Sequence, residues 1–329
     1  MLSFEKCKWS DIKPAYNSII VGNGLSISIA NDFRYGTLFN HAVELGWIDE
    51  DAKSLFEYLK TENFEEALRA LSESNDVLKI MTKSENIKLK DAHDKIRQSL
   101  INSIGGLHKN YHSVEHSIKK LALKIKEFDY VFSLNYDLLM YWAVIESNKS
   151  SKNSVKDCFF PTGFPSDWKK YKTPYPGNTK STLIFYPHGN MSIIKKGNTE
   201  IKAKAEVDHL LSVISGHISN DEKPIFISEG TSARKLQSIA GSQYLSKVYF
   251  ECMGEIGDNV AIHGWSMSEN DKHLIDRVLM SNKLRKVALG VNGLDDRKTK
   301  EWERKLDKLF HNYEPDVKVQ FYEASEFMK

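Results

Sequence analysis

An asparagine and an aspartate two residues apart, Asn135 and Asp137, stand directly after the apolar run Tyr130-Val131-Phe132-Ser133-Leu134. Side chains two apart on an extended backbone share a face. This amide and carboxylate can therefore orient a ribose, a carboxamide or a water together. His188 follows Leu183-Ile184-Phe185-Tyr186 in the same way and precedes Gly189 and Asn190. A histidine takes or gives a proton near neutral pH. Two glycine-bearing pieces complete the set: Gly22-Asn23-Gly24-Leu25-Ser26 after Ser18–Val21, and Gly264-Trp265-Ser266 after Val260–His263. Glycine lets a backbone approach a phosphate, and a helix that follows turns its N–H groups toward the anion.

Each piece also has a plainer reading. Gly22–Ser26 serves equally as a strand-to-helix turn. Asp137 suits the cap of a helix beginning Leu138-Leu139-Met140, which leaves Asn135 unexplained. A lone histidine is more often a satisfied core residue, and His263 at another strand end is a rival to His188. Ser232 and Arg234, in Ser228-Glu229-Gly230-Thr231-Ser232-Ala233-Arg234, suit a phosphate contact, but Thr231 or Ser232 suits a helix cap as well. The aromatic stretch Cys158–Phe164 reads as core.

The elements that must position these residues follow from the apolar runs. Strands are expected at Ser18–Val21, Tyr130–Leu134, Leu183–Tyr186, Pro224–Ser228, Val260–His263, Lys286–Gly290 and Val317–Phe321. Helical patterns fall at Leu25–Phe33, Leu138–Ser147, Ala233–Met253 and Asp295–Phe310, and Ser268-Glu269-Asn270-Asp271 opens another helix. Lys195-Lys196-Gly197-Asn198 reads as a tight turn within a hairpin. Strands alternating with helices predict an α/β fold, a Rossmann-like mostly parallel sheet with helices on both faces. Ligands of such sheets sit beyond the carboxyl ends of the strands, so the four polar pieces converge on one crevice. From Thr37 to Phe128 the apolar spacing is three and four, apart from a break at Gly105-Gly106. Residues 37–128 are therefore read as a large helical insertion after the first strand, and residues 1–36 with 129–329 as the Rossmann-like domain. The insertion is expected to be a packed lid or a surface for a homo-oligomer or regulatory partner.

Composition narrows the function. The chain has 329 residues, 46 Lys+Arg against 44 Asp+Glu, and a net charge of +2. No strong basic field points to nucleic acid. Apolar runs are too short to span a bilayer and the first residues carry no secretory pattern. Three scattered cysteines, Cys7, Cys158 and Cys252, suit a reducing cytoplasm and exclude an intrachain four-cysteine zinc site. No metal is expected.

Taken in order, the pieces resemble the sirtuin-like superfamily, with its glycine turn, Asp-Phe-Arg, Asn-x-Asp, His-Gly and late Gly-x-Ser. Here these are Gly22-Asn23-Gly24-Leu25-Ser26, Asp32-Phe33-Arg34, Asn135-Tyr136-Asp137, His188-Gly189 and Gly264-Trp265-Ser266. The closest resemblance is to bacterial sirtuin-like domains without the zinc module, relatives of which degrade NAD in anti-phage defence. The resemblance implies an NAD glycohydrolase that cleaves the nicotinamide–ribose bond, giving nicotinamide and ADP-ribose. It places Asn135 on the ribose or the attacking water. Asp137 is placed on the carboxamide or behind Asn135, and His188 as general base. Gly22, Gly24 and Ser26 are placed at the phosphates, and Asn23 belongs to the cofactor-binding set. Asp32, Phe33 and Arg34 belong to the cofactor-binding set, with Arg34 at the nicotinamide ribose or a phosphate. Gly264 and Ser266 fall on the adenosine side. Two other functions stay open: a non-catalytic NAD or ADP-ribose-binding signalling module, and an NAD-dependent deacylase or ADP-ribosyltransferase. The second is weakened by the missing zinc cysteines.

Overall fold

Eight parallel strands form the centre of the protein, in a computed structural model that describes residues 2–329 apart from 85, 109, 151–153, 161–162, 207, 221, 228–229, 280–283 and 314–315. In chain order the strands are β1 (Leu2–Lys6), β2 (Ser18–Val21), β3 (Tyr130–Ser133), β4 (Val155–Lys156), β5 (Thr182–Phe185), β6 (Gly189–Lys196), β7 (Thr199–Lys202), β8 (Lys223–Phe226), β9 (Asn259–His263), β10 (Lys286–Val291) and β11 (Val317–Glu323). The large sheet runs β1-β11-β10-β9-β2-β3-β5-β4, and every neighbouring pair is parallel. β2, β5 and the last four residues of β9 are buried throughout, so both faces of the sheet are covered. That burial explains why these strands read as unbroken apolar runs rather than alternating ones.

The helices are α1 (Trp9–Ile12), α2 (Asn23–Ile29), α3 (Tyr35–Glu44), α4 (Glu50–Leu59), α5 (Phe64–Thr82), α6 (Ile87–Leu107), α7 (Tyr111–Ile125), α8 (Leu139–Ser150), α9 (Leu210–Ser219), α10 (Ser232–Ala240), α11 (Gln243–Phe250), α12 (Lys272–Leu279) and α13 (Asp296–Phe310). The fold is the expected α/β, Rossmann-like arrangement. Among the described residues no helix is long and apolar enough to cross a membrane.

The insertion comprises α3 to α7. Four of its helices, α4 to α7, begin with a polar residue, Asp49, Asn63, Asn86 or Asn110, whose side chain accepts a first-turn N–H. Its buried residues Phe56, Phe64, Leu68, Leu100 and Leu121 belong to the same continuous core as the sheet. α7 packs on α8, and α5 and α3 pack on α6.

Several expectations are corrected. The break at Gly105-Gly106 does not occur, because α6 runs through both. Gly106 is small because His41 Nε2 would lie 2.9 Å from a Cβ there. The helix expected at Leu25–Phe33 starts earlier and stops at Ile29, and a separate short turn spans Asn31–Phe33. The helix expected from Ala233 to Met253 is two, split at Gly241-Ser242, where Ser242 Oγ caps α11 by accepting from Leu245 N–H. The strand at Pro224 exists but leaves the parallel sheet. It pairs antiparallel with β6, which also forms the expected hairpin with β7. Ser228 and Glu229 of the polar turn, and Pro161 and Thr162 of the aromatic stretch, lie outside the described residues. The parallel edge strand β1 has no counterpart in the sequence reading.

Candidate functional site

β2 is the topological switch of the sheet: β3 and β5 lie to one side and β9 to the other. Open α/β sheets bind ligands at such a point, beyond the strand carboxyl ends. A cavity of 430 Å³ occupies it, lined by turns that follow β2, β3, β5 and β9. Gly22, Asn23, Gly24, Phe33, Asn135, Asp137, His188, Gly264 and Ser266 all line this one space. Its volume falls in the range of small-molecule sites.

Asn135 and Asp137 meet through Ser26. The Ser26 hydroxyl donates to Asp137 Oδ2 at 2.5 Å, and its oxygen accepts from Asn135 Nδ2 at 2.8 Å. This orientation is forced. Ser26 spends its hydrogen on the carboxylate, so Asn135 must turn its N–H toward Ser26. Asn135 Oδ1 is thereby left without a partner, on a residue only 6% exposed that lines the cavity. A buried orphan acceptor is costly unless a ligand or water completes it. Asp137 Oδ1 accepts from Leu139 N–H at 2.9 Å, so one oxygen of the carboxylate holds the start of α8 and the other holds Ser26. Burial raises the Asp137 carboxyl above the usual range, against the pull of the Ser26 and Leu139 hydrogen bonds.

Asn190 holds this turn from β6. Its Nδ2 donates to Asp137 O at 2.5 Å, while its Oδ1 accepts from Ser192 N–H and Oγ–H. The insertion holds it from the other side, where His108 Nε2 accepts the Leu138 N–H at 2.9 Å.

His188 is 3% exposed and stacks beside His273, with the two Nε2 atoms 3.0 Å apart. Ser232 Oγ accepts from His273 N–H at 2.6 Å and lies 3.2 Å from His273 Nδ1. Its own hydrogen is free to donate to Nδ1. That pattern assigns the His273 proton to Nε2, donated to His188 Nε2, and the His188 proton to Nδ1. Burial, together with Lys235 and His273, pushes His188 well below the usual histidine pKa, and burial brings His273 to about 4.

A buried charge cluster forms the wall beside them. Lys235, 1% exposed, reaches Glu65 Oε2 at 3.3 Å and Asp271 Oδ1 at 3.0 Å. Trp265 Nε1 donates to Asp271 Oδ2 at 2.9 Å, and Tyr136 O–H lies 2.8 Å from Glu65 Oε1 and 2.7 Å from Ile227 O. Burial opposes ionisation of Asp271, but His188, Lys235 and the Trp265 hydrogen bond outweigh it and hold the carboxyl at about 2. Burial raises Glu65, partly offset by Lys235.

The glycines are explained by packing. A Cβ on Gly24 would lie 2.6 Å from Gly264 Cα, and one on Gly264, at φ +67°, would lie 2.5 Å from Leu25 N. The turns after β2 and β9 touch backbone to backbone, and Gly24 N–H donates to Gly264 O at 2.8 Å. The Gly24 N–H that was expected at a phosphate is already used. Ser26, expected at the phosphates, instead orients Asn135 from beneath the cavity. Asp32 and Arg34 are not among the lining residues, and Arg34 is exposed, with Nη2 3.4 Å from Asn31 Oδ1. His263 is settled as a core residue. It stacks on Phe327, and its Nδ1 lies 3.0 Å from Tyr322 O–H, away from the cavity. Arg234 turns to Ser72 of the insertion, and Thr231 caps α10.

Sequence reasoning missed Glu65, Lys235, His273 and His108. Glu65 and Lys235 sit in ordinary helical patterns and give no local signal. Asn190 carried one, as an amide directly after the His188-Gly189 pair at a strand end. Among the described residues no three His, Cys, Asp or Glu side chains are arranged to hold a metal.

A family model described as a domain of unknown function, DUF4917, matches residues 19–327. The chain belongs to this family. The match covers both the sheet and the insertion, so the DUF4917 domain includes every wall of the cavity. No curated protein matches the chain.

Proposed function

We propose that this DUF4917 protein cleaves the nicotinamide–ribose bond of NAD with water. The observation that carries the reading is Asn135: a buried amide, locked by Ser26 and Asp137, with its Oδ1 unpartnered in a cavity that His188 shares. A fixed acceptor of this kind suits a ribose hydroxyl or an attacking water. In the reaction, water oxygen bonds to C1′ of the ribose as the C1′–N1 bond breaks. The bond's electron pair goes to the pyridinium nitrogen, so nicotinamide leaves neutral and needs no general acid. The water proton passes to His188 Nε2, which requires the His273 contact to open as substrate enters. The transition state gathers positive charge on the ribose, as in glycosyl transfer. The ionised Asp271 lies on the wall that such charge would face. The resemblance to sirtuin-like NAD-degrading domains supports the same chemistry, and an effector role in anti-phage defence is part of this proposal.

The test is incubation of the purified protein with NAD and chromatography of the products. Equal amounts of nicotinamide and ADP-ribose support the reading, whereas intact NAD after long incubation ends it. A second reading, binding of NAD or ADP-ribose without cleavage, is favoured by one observation: His188 Nε2 is already engaged by His273. Saturable ADP-ribose binding with no product identifies that case.

A further inference from the structure

The charge lining the cavity has a single sign. Glu65, Glu66, Asp137 and Asp271 line it, and among the described residues no lysine or arginine does. Lys235 lies within the wall, 1% exposed, and its ammonium is spent between Glu65 and Asp271. One ammonium shared by two carboxylates leaves carboxylate in excess on this wall. Asn135 supplies an independent observation, since its side chain is more than nine-tenths buried and its Oδ1 is unpartnered in the same cavity. Every one of these groups accepts or attracts, so the complementary ligand brings positive charge and N–H or O–H donors. Phe33, Tyr35, Tyr136 and Trp265 add aromatic lining, which suits a flat cation.

We infer that the Glu65–Asp271 wall selects a planar cationic head group of the N-substituted pyridinium class, and that Glu65, carried in by the insertion, is a specificity-determining residue. The inference deepens the NAD reading and rests on it for the ligand's identity, while the sign of the charge follows from the cavity. It also gives the insertion a role inside the site rather than over it.

The experiment compares two probes of equal shape that differ by one charge: the N-methylnicotinamide cation and neutral 3-methylbenzamide. Calorimetric titration of the full chain is expected to show the cation bound at least about tenfold more tightly, equivalent to ~1.4 kcal/mol. Glu65→Gln keeps the shape and a hydrogen-bonding group, and is expected to reduce that ratio several-fold. Asp271→Asn serves as a second variant, with far- and near-ultraviolet circular dichroism confirming the fold of each. If neither variant folds, the wild-type comparison decides. Equal or tighter binding of the neutral probe, an unchanged ratio in both folded variants, or no saturable binding of either probe overturns the inference. A cation preference without NAD cleavage keeps this inference and ends the hydrolase reading; NAD cleavage without the preference does the reverse.

Discussion

Removal of the Ser26 hydroxyl probes how the site is built. Ser26→Ala deletes two buried hydrogen bonds at once: the 2.5 Å donation to Asp137 Oδ2 and the 2.8 Å acceptance from Asn135 Nδ2. A bond to a charged group contributes about 1.5–3 kcal/mol and a neutral one about 0.5–1.5. The expected loss is therefore about 2–4.5 kcal/mol. At roughly 2.1 cal/mol/K per residue, unfolding 329 residues carries an entropy near 0.7 kcal/mol/K. The melting temperature should fall by about 3–6 °C. The loss has a pH signature as well. Asp137 is raised in the folded state by burial, so its ionisation already opposes folding as pH climbs above the ordinary carboxylate range near 3.9. Without the Ser26 donor its folded pKa rises further, and the window in which stability falls with pH extends upward. The deficit of Ser26→Ala relative to wild type should then be larger at pH 8 than at pH 5. Differential scanning calorimetry at the two pH values reads both effects. NAD turnover should drop roughly 10²-fold as Asn135 loses its fixed orientation. A variant that melts within 1 °C of wild type at both pH values would refute the idea that Ser26 locks the amide and the carboxylate together.

Gly264→Ala forces a Cβ to 2.5 Å from Leu25 N in a left-handed backbone conformation, and should cost about 3 kcal/mol or more in chemical denaturation. A loss under 1 kcal/mol would show that the two glycine turns have room to part. His108→Ala removes the acceptor of the Leu138 N–H and should cost about 1–3 kcal/mol. Faster hydrogen exchange at the Leu138 amide, with slow exchange retained in β2, would localise the effect, and unchanged exchange there would contradict it. The same variant tests whether the insertion supports the turn that carries Asn135 and Asp137.

Much of the site was legible because its carriers sit at strand ends. Val131–Ser133 and Val260–His263 are buried, so an amide such as Asn135 and a glycine such as Gly264 stand out where the apolar run stops. Asp137 was read either as a helix cap or as a site residue; one of its oxygens accepts from Leu139 N–H and the other from the Ser26 hydroxyl that also holds Asn135. The glycines were legible as close-approach positions, but what approaches is another backbone, a long-range fact that no local motif encodes. Glu65 and Lys235 were invisible for a similar reason. Each sits in an ordinary helical pattern, and only the packing of α5 against α10 turns the pair into a buried cluster. The antiparallel placement of β8 also escaped, since Pro224-Ile225-Phe226 has the same apolar pattern in either sheet.

The decisive measurement is the rate of nicotinamide release from NAD by wild-type protein beside Asn135→Ala. Steady release by wild type, with loss of at least two orders of magnitude in a folded Asn135→Ala protein, is the predicted result. Equal rates in the two proteins, or no release by wild type, would contradict the assignment of this cavity to NAD cleavage.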